Sequence, residues 1–224
     1  VNVEPLSALE TAARGGQLPA RVVRRIRERM PRLREAIARV EKASGVPYPP
    51  HVIEPGITIA IGADMGISLL YCRTVPSPHE KGLSIIVSIS APFLLYASKG
   101  TLDAVVAHEF LHYLEFVRRF SSFRLHSLPS AATAFEAPYV DLSATLPAHR
   151  VLCDRSLVRL VARKFRPYLV DEPLARKVWA QWIQKGYPVS RIHMSENNVR
   201  IPVASILRTS FDQNVLNLLS RIGS

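Results

Sequence analysis

Residues 101–120 read TLDAVVAHEFLHYLEFVRRF, and this stretch decides the fold. Thr101 is a good N-cap and Asp103 a good early acid, so a helix is predicted over 101–119. Val105, Val106, Ala107, Phe110, Leu111, Tyr113 and Leu114 are all uncharged, as a helix buried on most sides requires. Yet the same helix carries His108, Glu109 and His112. Three such polar side chains are costly to bury unless they share a partner.

His108 and His112 stand one turn apart on the same helix face, so both imidazoles can reach one metal ion. Two neutral nitrogens leave room for a third protein ligand and a water, the open arrangement of a catalytic zinc, one per chain. Glu109 lies about 100° around the helix from His108 and flanks that position. From there it can take a proton from a water whose pKa the metal has lowered. The plainer reading of the same residues is a hydrogen-bonded pair of core histidines beside a paired glutamate. The uncharged surroundings favour the metal.

Working toward the N-terminus, residues 83–90 alternate Leu83, Ile85, Val87 and Ile89 with serines, and predict a strand. Residues 57–62 and 67–72 predict two more, and VPSPHEKG (75–82) a loop. VPYPPHVIEPG (46–56), with its four prolines, reads as a connector and as a subdomain boundary. Ahead of it, Val22, Ile26, Met30, Leu33, Ile37 and Val40 form one helical stripe, with arginines opposite and a kink or restart at Pro31. Toward the C-terminus the pattern is mostly helical, around 129–137, 154–165, 171–185 and 208–222. A small sheet followed by many helices is an α+β pattern. The expected organisation is an N-terminal helical segment (1–50) and a main domain (51–224), divided into an upper part to about 120 and a lower helical part after it.

The chain has 224 residues, 48% apolar and 21% charged, which excludes a disordered or fibrous protein. Its net charge of +11 permits an anionic partner. The arginine-rich face of 21–43 is the feature that fits nucleic acid, but Glu28, Glu35 and Glu41 interrupt it and no aromatic side chain is there to stack on bases. Specific nucleic-acid binding is therefore not expected. Cys72 and Cys153 sit in apolar runs and read as small buried hydrophobes without a disulfide. The N-terminal residues lack the shape of a secretion signal, and the longest uncharged run (82–98) is too short to span a bilayer. A cytoplasmic protein without a membrane partner is the expectation.

With VVAHEFLHYL on the page, the sequence resembles the zincin metallopeptidases, whose signature is H-E-x-x-H with uncharged residues within and around it. The resemblance covers the helix 101–119 and, loosely, the strands before it. It implies a small zincin-like sheet, a zinc-dependent endopeptidase activity, a peptide or protein substrate, and substrate pairing with one strand of the sheet, 67–72 or 83–90. Metzincins turn the chain at a glycine soon after the second histidine, whereas Tyr113, Leu114 and Glu115 follow here, so that branch does not fit. The third ligand is expected from a later segment. Glu136, at a spacing like that of the gluzincins, leads, with Asp141 and His126 as alternatives, and Glu115 is assigned to the rim of the cleft or to orienting the site. Tyr139 and His149 are the leading candidates to stabilise the oxyanion, with Arg150 and His193 behind them. Two other readings stay open: a regulatory H-E-x-x-H protein dedicated to one target, and a basic nucleic-acid-binding protein with an inactive site.

Overall fold

Proline and glycine set the joints of the N-terminal helices. In the computed structural model, which describes residues 4–62, 66–122, 134–138, 145–166, 169–196 and 198–223, three helices come first: α1 (Ser7–Arg14), α2 (Ala20–Arg27) and α3 (Met30–Ser44). Pro31 falls in the first turn of α3, where its missing N–H has no partner to lose, so the chain restarts there. Gly45, at φ 76°, stops α3. The predicted apolar stripe is buried from Val22 to Val40. Much of the opposite face is engaged within the protein. Arg27 binds Glu10 at 2.6 Å, Arg24 lies 3.9 Å from Glu28, and Arg29 donates to the carbonyls of Leu94, Leu95 and Ala97.

The strands β1 (His51–Glu54), β2 (Ile57–Gly62), β3 (Gly66–Leu70), β4 (Cys72–His79) and β5 (Gly82–Ser90) follow. Then come α4 (Ala91–Tyr96), α5 (Lys99–Ser121), β6 (Ala134–Pro138), α6 (Ala148–Val151), α7 (Arg155–Lys164) and α8 (Glu172–Val178), the last running into a π-turn at Trp179–Ile183. The chain closes with β7 (Val189–His193), β8 (Asn198–Pro202), α9 (Val203–Arg208) and α10 (Gln213–Gly223). This is an α+β fold. Among the described residues, no helix is long and apolar enough to cross a membrane.

Among the described residues three small sheets form, ordered β1-β5-β4, β3-β2-β7 and β6-β8. The segment read as the loop VPSPHEKG is instead mostly strand: β4 runs to His79 and pairs antiparallel with β5, with only Glu80 and Lys81 in the turn. Its prolines had argued against a strand, but Pro76 and Pro78 are two residues apart and so share one backbone side. On an edge strand that side needs no partner. The connector also holds β1, parallel to β5. β5 is therefore the central strand of its sheet and is paired on both sides, whereas among the described residues β3 pairs on one edge alone.

The predicted helix at 129–137 is overturned where it can be seen. Residues 134–138 are strand β6, paired antiparallel with β8, and Glu136 lies opposite Arg200 in the register. The partner strand is about sixty residues further on, and this long-range pairing outweighs the local helical pattern. The predicted C-terminal helix (208–222) begins later, as α10 at Gln213, where Asp212 accepts from the N–H of Asn214 at 2.7 Å, and α9 is a separate short helix ahead of it. Cys72 and Cys153 are both free, but Cys72 is half-buried and Cys153 exposed, where the sequence predicts both to be buried.

α5 is the axis of the molecule. It packs against α3, α7, α10, β4 and β5, and Ala104, Ala107, Phe110, Leu114 and Val117 are fully buried along it. Its N-cap is Ser98, three residues ahead of the predicted Thr101; the Ser98 hydroxyl accepts from the Thr101 N–H at 3.1 Å. Leu9, Val22 and Leu33 of the N-terminal helices share one core with Phe110, Trp182 and Val215, so the segment before residue 50 is not packed as a separate unit.

Candidate metal centre

The helix delivers its polar side chains to one cavity. This cavity has a volume of about 380 Å³ and is lined by His108, Glu109 and His112 on one side. Residues 67–74 of β3 and β4 also line it, as do Phe165, Leu169 and Val170 between α7 and α8. The Nε2 atoms of His108 and His112 are 3.1 Å apart, and their rings are nearly perpendicular. Tetrahedral zinc with nitrogens at about 2.0–2.1 Å places two ligand nitrogens about 3.3–3.4 Å apart, so the pair fits a shared zinc ion with little movement. The ring of Phe165 stacks on His108 at 3.7 Å between centroids and 14° between planes, which fixes the imidazole. Burial, and then the neighbouring His112, push the His108 pKa down to about 3, so the ring is neutral at pH 7.

Glu109 is buried at the base of the cavity. The Thr74 hydroxyl is 2.8 Å from its Oε2 and 3.1 Å from its backbone oxygen. Burial raises the carboxyl pKa, opposed by His112, by the Thr74 hydrogen bond and by Arg73. Arg73 itself is buried in the cavity wall and donates to both oxygens of Glu54 at 2.6 Å. Cys72 also lines the cavity, but burial and then the Glu109 charge hold its thiol well above its ordinary pKa. A thiol kept protonated is a poor nucleophile, so the geometry does not favour cysteine chemistry.

The remaining predicted residues divide clearly. Glu115 does not line the cavity; Arg118 and Arg119 bind its carboxylate at 2.7–2.9 Å. His149 and Arg150 are exposed on α6, and His193 is exposed at the end of β7; none of the three lines the cavity. Tyr139, His126 and Asp141 lie outside the described residues, and Glu136 is described only as part of strand β6. Among the described residues, no third His, Cys, Asp or Glu joins the histidine pair.

Thr74, Phe165 and Asp171 are contributors that sequence reasoning missed. Thr74 hid in a strand broken up by prolines. The only signal for Phe165 was an aromatic residue at the end of an amphipathic helix. Asp171 caps α8 and also binds Thr101 at 2.5 Å and Lys164 at 2.8 Å, tying its part of the cavity wall to the start of α5. No protein-family model, curated protein or solved structure matches the chain.

Proposed function

We propose that this chain is a zinc-dependent metallopeptidase with His108 and His112 as metal ligands and Glu109 as general base. The observation that carries the reading is the pair of Nε2 atoms 3.1 Å apart in a cavity that also holds a buried carboxylate. Zinc held by His108 and His112 would supply Lewis acidity at the cavity. Glu109 would take the proton of the attacking water and deliver it to the departing amine nitrogen. Thr74 holds the carboxylate in place during both transfers, and Phe165 holds the His108 ring. β3, which lines the cavity and among the described residues pairs on one edge alone, is the strand to which an extended peptide adds. The central position of β5 removes the other strand considered. Leu69, Leu70, Phe116 and Leu169 give the cavity an apolar lining suited to a bulky apolar side chain.

Glu136 is the first residue to test as the third ligand, ahead of Asp141 and His126. The oxyanion partner is proposed to be Tyr139, since His149 is exposed away from the cavity. Protein purified without added metal should contain about one zinc per chain, and His112→Ala should lose it. Glu109→Gln should keep the zinc and lose peptide hydrolysis by several orders of magnitude. Failure to bind zinc even when it is supplied would overturn the proposal.

A further inference from the structure

α7 carries a regular row of arginines that runs the length of the helix. Its sequence, RSLVRLVARK, has no acid within it, and Arg155, Arg159 and Arg163 recur at every fourth position. All three are exposed, as is Arg166 just beyond the helix. Among the described residues, none of these four arginines has a carboxylate partner in a salt bridge. On α2 and α3, Arg24, Arg27 and Arg39 meet Glu28, Glu10 and the Asp103–Asp154 pair, whereas Arg21 and Arg25 form a shorter row of the same kind on α2 that does not line the cavity.

Such a stripe costs the helix stability. Like charges four residues apart repel, and Arg155 stands in the first turn, where the helix dipole disfavours a cation. The fold gains nothing in return, since the buried residues of α7 are Leu157 and Val161 on another face. The stripe extends about 12 Å from Arg155 to Arg163. The helix, though not the arginine side chains themselves, ends beside the cavity: Phe165, two residues after Arg163, is the ring stacked on His108.

We propose that the α7 arginine stripe is a docking surface for an acidic segment of the peptide substrate, adjoining the residue held in the cavity. The inference rests on the peptidase reading and adds a substrate class to it: chains in which Asp or Glu residues flank an apolar position. A peptide is a better match than nucleic acid. The stripe is short, α7 has no aromatic or amide side chain for reading bases, and its end lies at the site of proposed hydrolysis.

The test uses the full chain and two fluorescent peptides with the same apolar centre, one flanked by about four glutamates and the other by glutamines. Binding is measured by anisotropy to Glu109→Gln, and cleavage by the unaltered protein. Three exposed ion pairs should make the acidic peptide bind about tenfold more tightly at low salt. The gap should close at about 0.5 M salt and in Arg159→Glu/Arg163→Glu, but persist in Arg21→Glu/Arg25→Glu. Equal binding of the two peptides, with both cleaved, would overturn the docking surface and leave the peptidase standing. Acidic-peptide binding lost on α7 reversal, with no cleavage of either peptide, would uphold the surface and overturn the peptidase. Tighter, α7-dependent binding of a DNA duplex than of the acidic peptide would reassign the stripe to nucleic acid.

Discussion

Replacing Arg39 with Met should loosen the frame that holds the cavity. Its guanidinium donates to Asp103 on α5 at 2.7 Å, to Asp154 at the start of α7 at 2.8 Å, and to Ser156 at 2.6 Å. Asp103 is only 7% exposed, whereas Arg39 and Asp154 are each about 30% exposed. Losing the partner of a buried carboxylate costs about 3–5 kcal/mol, and losing that of a half-exposed one about 1 kcal/mol or less. Because water can reach one end of this network, about 2–3 kcal/mol is expected for Arg39→Met. In a chain of this size that lowers the melting temperature by roughly 5–10 °C. The Arg39 hydrogen bond, with help from Ser156, holds the Asp154 carboxyl well below its ordinary pKa. Its contribution is therefore complete above the unfolded value of about 4 and disappears as the pH falls below it. Thermal unfolding of both proteins at neutral and acid pH reads the two effects together. A loss under 2 °C at pH 7, or a gap that stays constant down to about pH 3, would refute this account.

Three further outcomes follow from single contacts. Thr74→Val removes the hydrogen bond that orients Glu109, and should lower the proposed hydrolysis by about 10–100-fold with zinc content unchanged; loss of zinc would point to a wider collapse. Phe110 is fully buried and stacks on Tyr48, so Phe110→Ala should cost about 3–5 kcal/mol in urea unfolding, and less than about 2 would show that the site is loosely packed. The Tyr71 hydroxyl is buried without a hydrogen-bond partner among the described residues, so Tyr71→Phe should leave stability unchanged or raise it by about 1 kcal/mol; a marked loss would reveal an unseen partner.

The central helix and its two histidines were legible because they depend on local spacing. A four-residue interval puts two side chains on one face whatever surrounds them, and the uncharged flanks announced burial. The restart at Pro31 and the stop at Gly45 were legible for the same reason. β6 and β7 were not. Ala134–Pro138 becomes a strand only because Asn198–Pro202 arrives beside it, and Val189–His193 only because Ile57–Ile61 does. No window of sequence contains both members of either pair. β4 failed differently: its prolines are a real signal against a central strand, and the edge position that excuses them is a property of the finished sheet. In the cavity, Glu109 could be read from its neighbours, but Thr74 is 35 residues away from it and Phe165 lies 57 positions beyond His108. Their roles emerge only once β4 and α7 have packed against α5.

The paired prolines of β4 also bear on how copies of this chain meet. An edge strand invites a second sheet to extend it, and a run of apolar residues with free N–H groups is where such growth starts. Pro76 and Pro78 remove two successive donors from the outward side, so a strand from another molecule meets a gap of two rungs there. β3 has no proline and keeps its donors beside the cavity. The two edges are thus chemically unequal: β4, buried at Pro76 with β8 and α9 packed near it, lacks two donors, whereas β3 keeps its own beside the cavity.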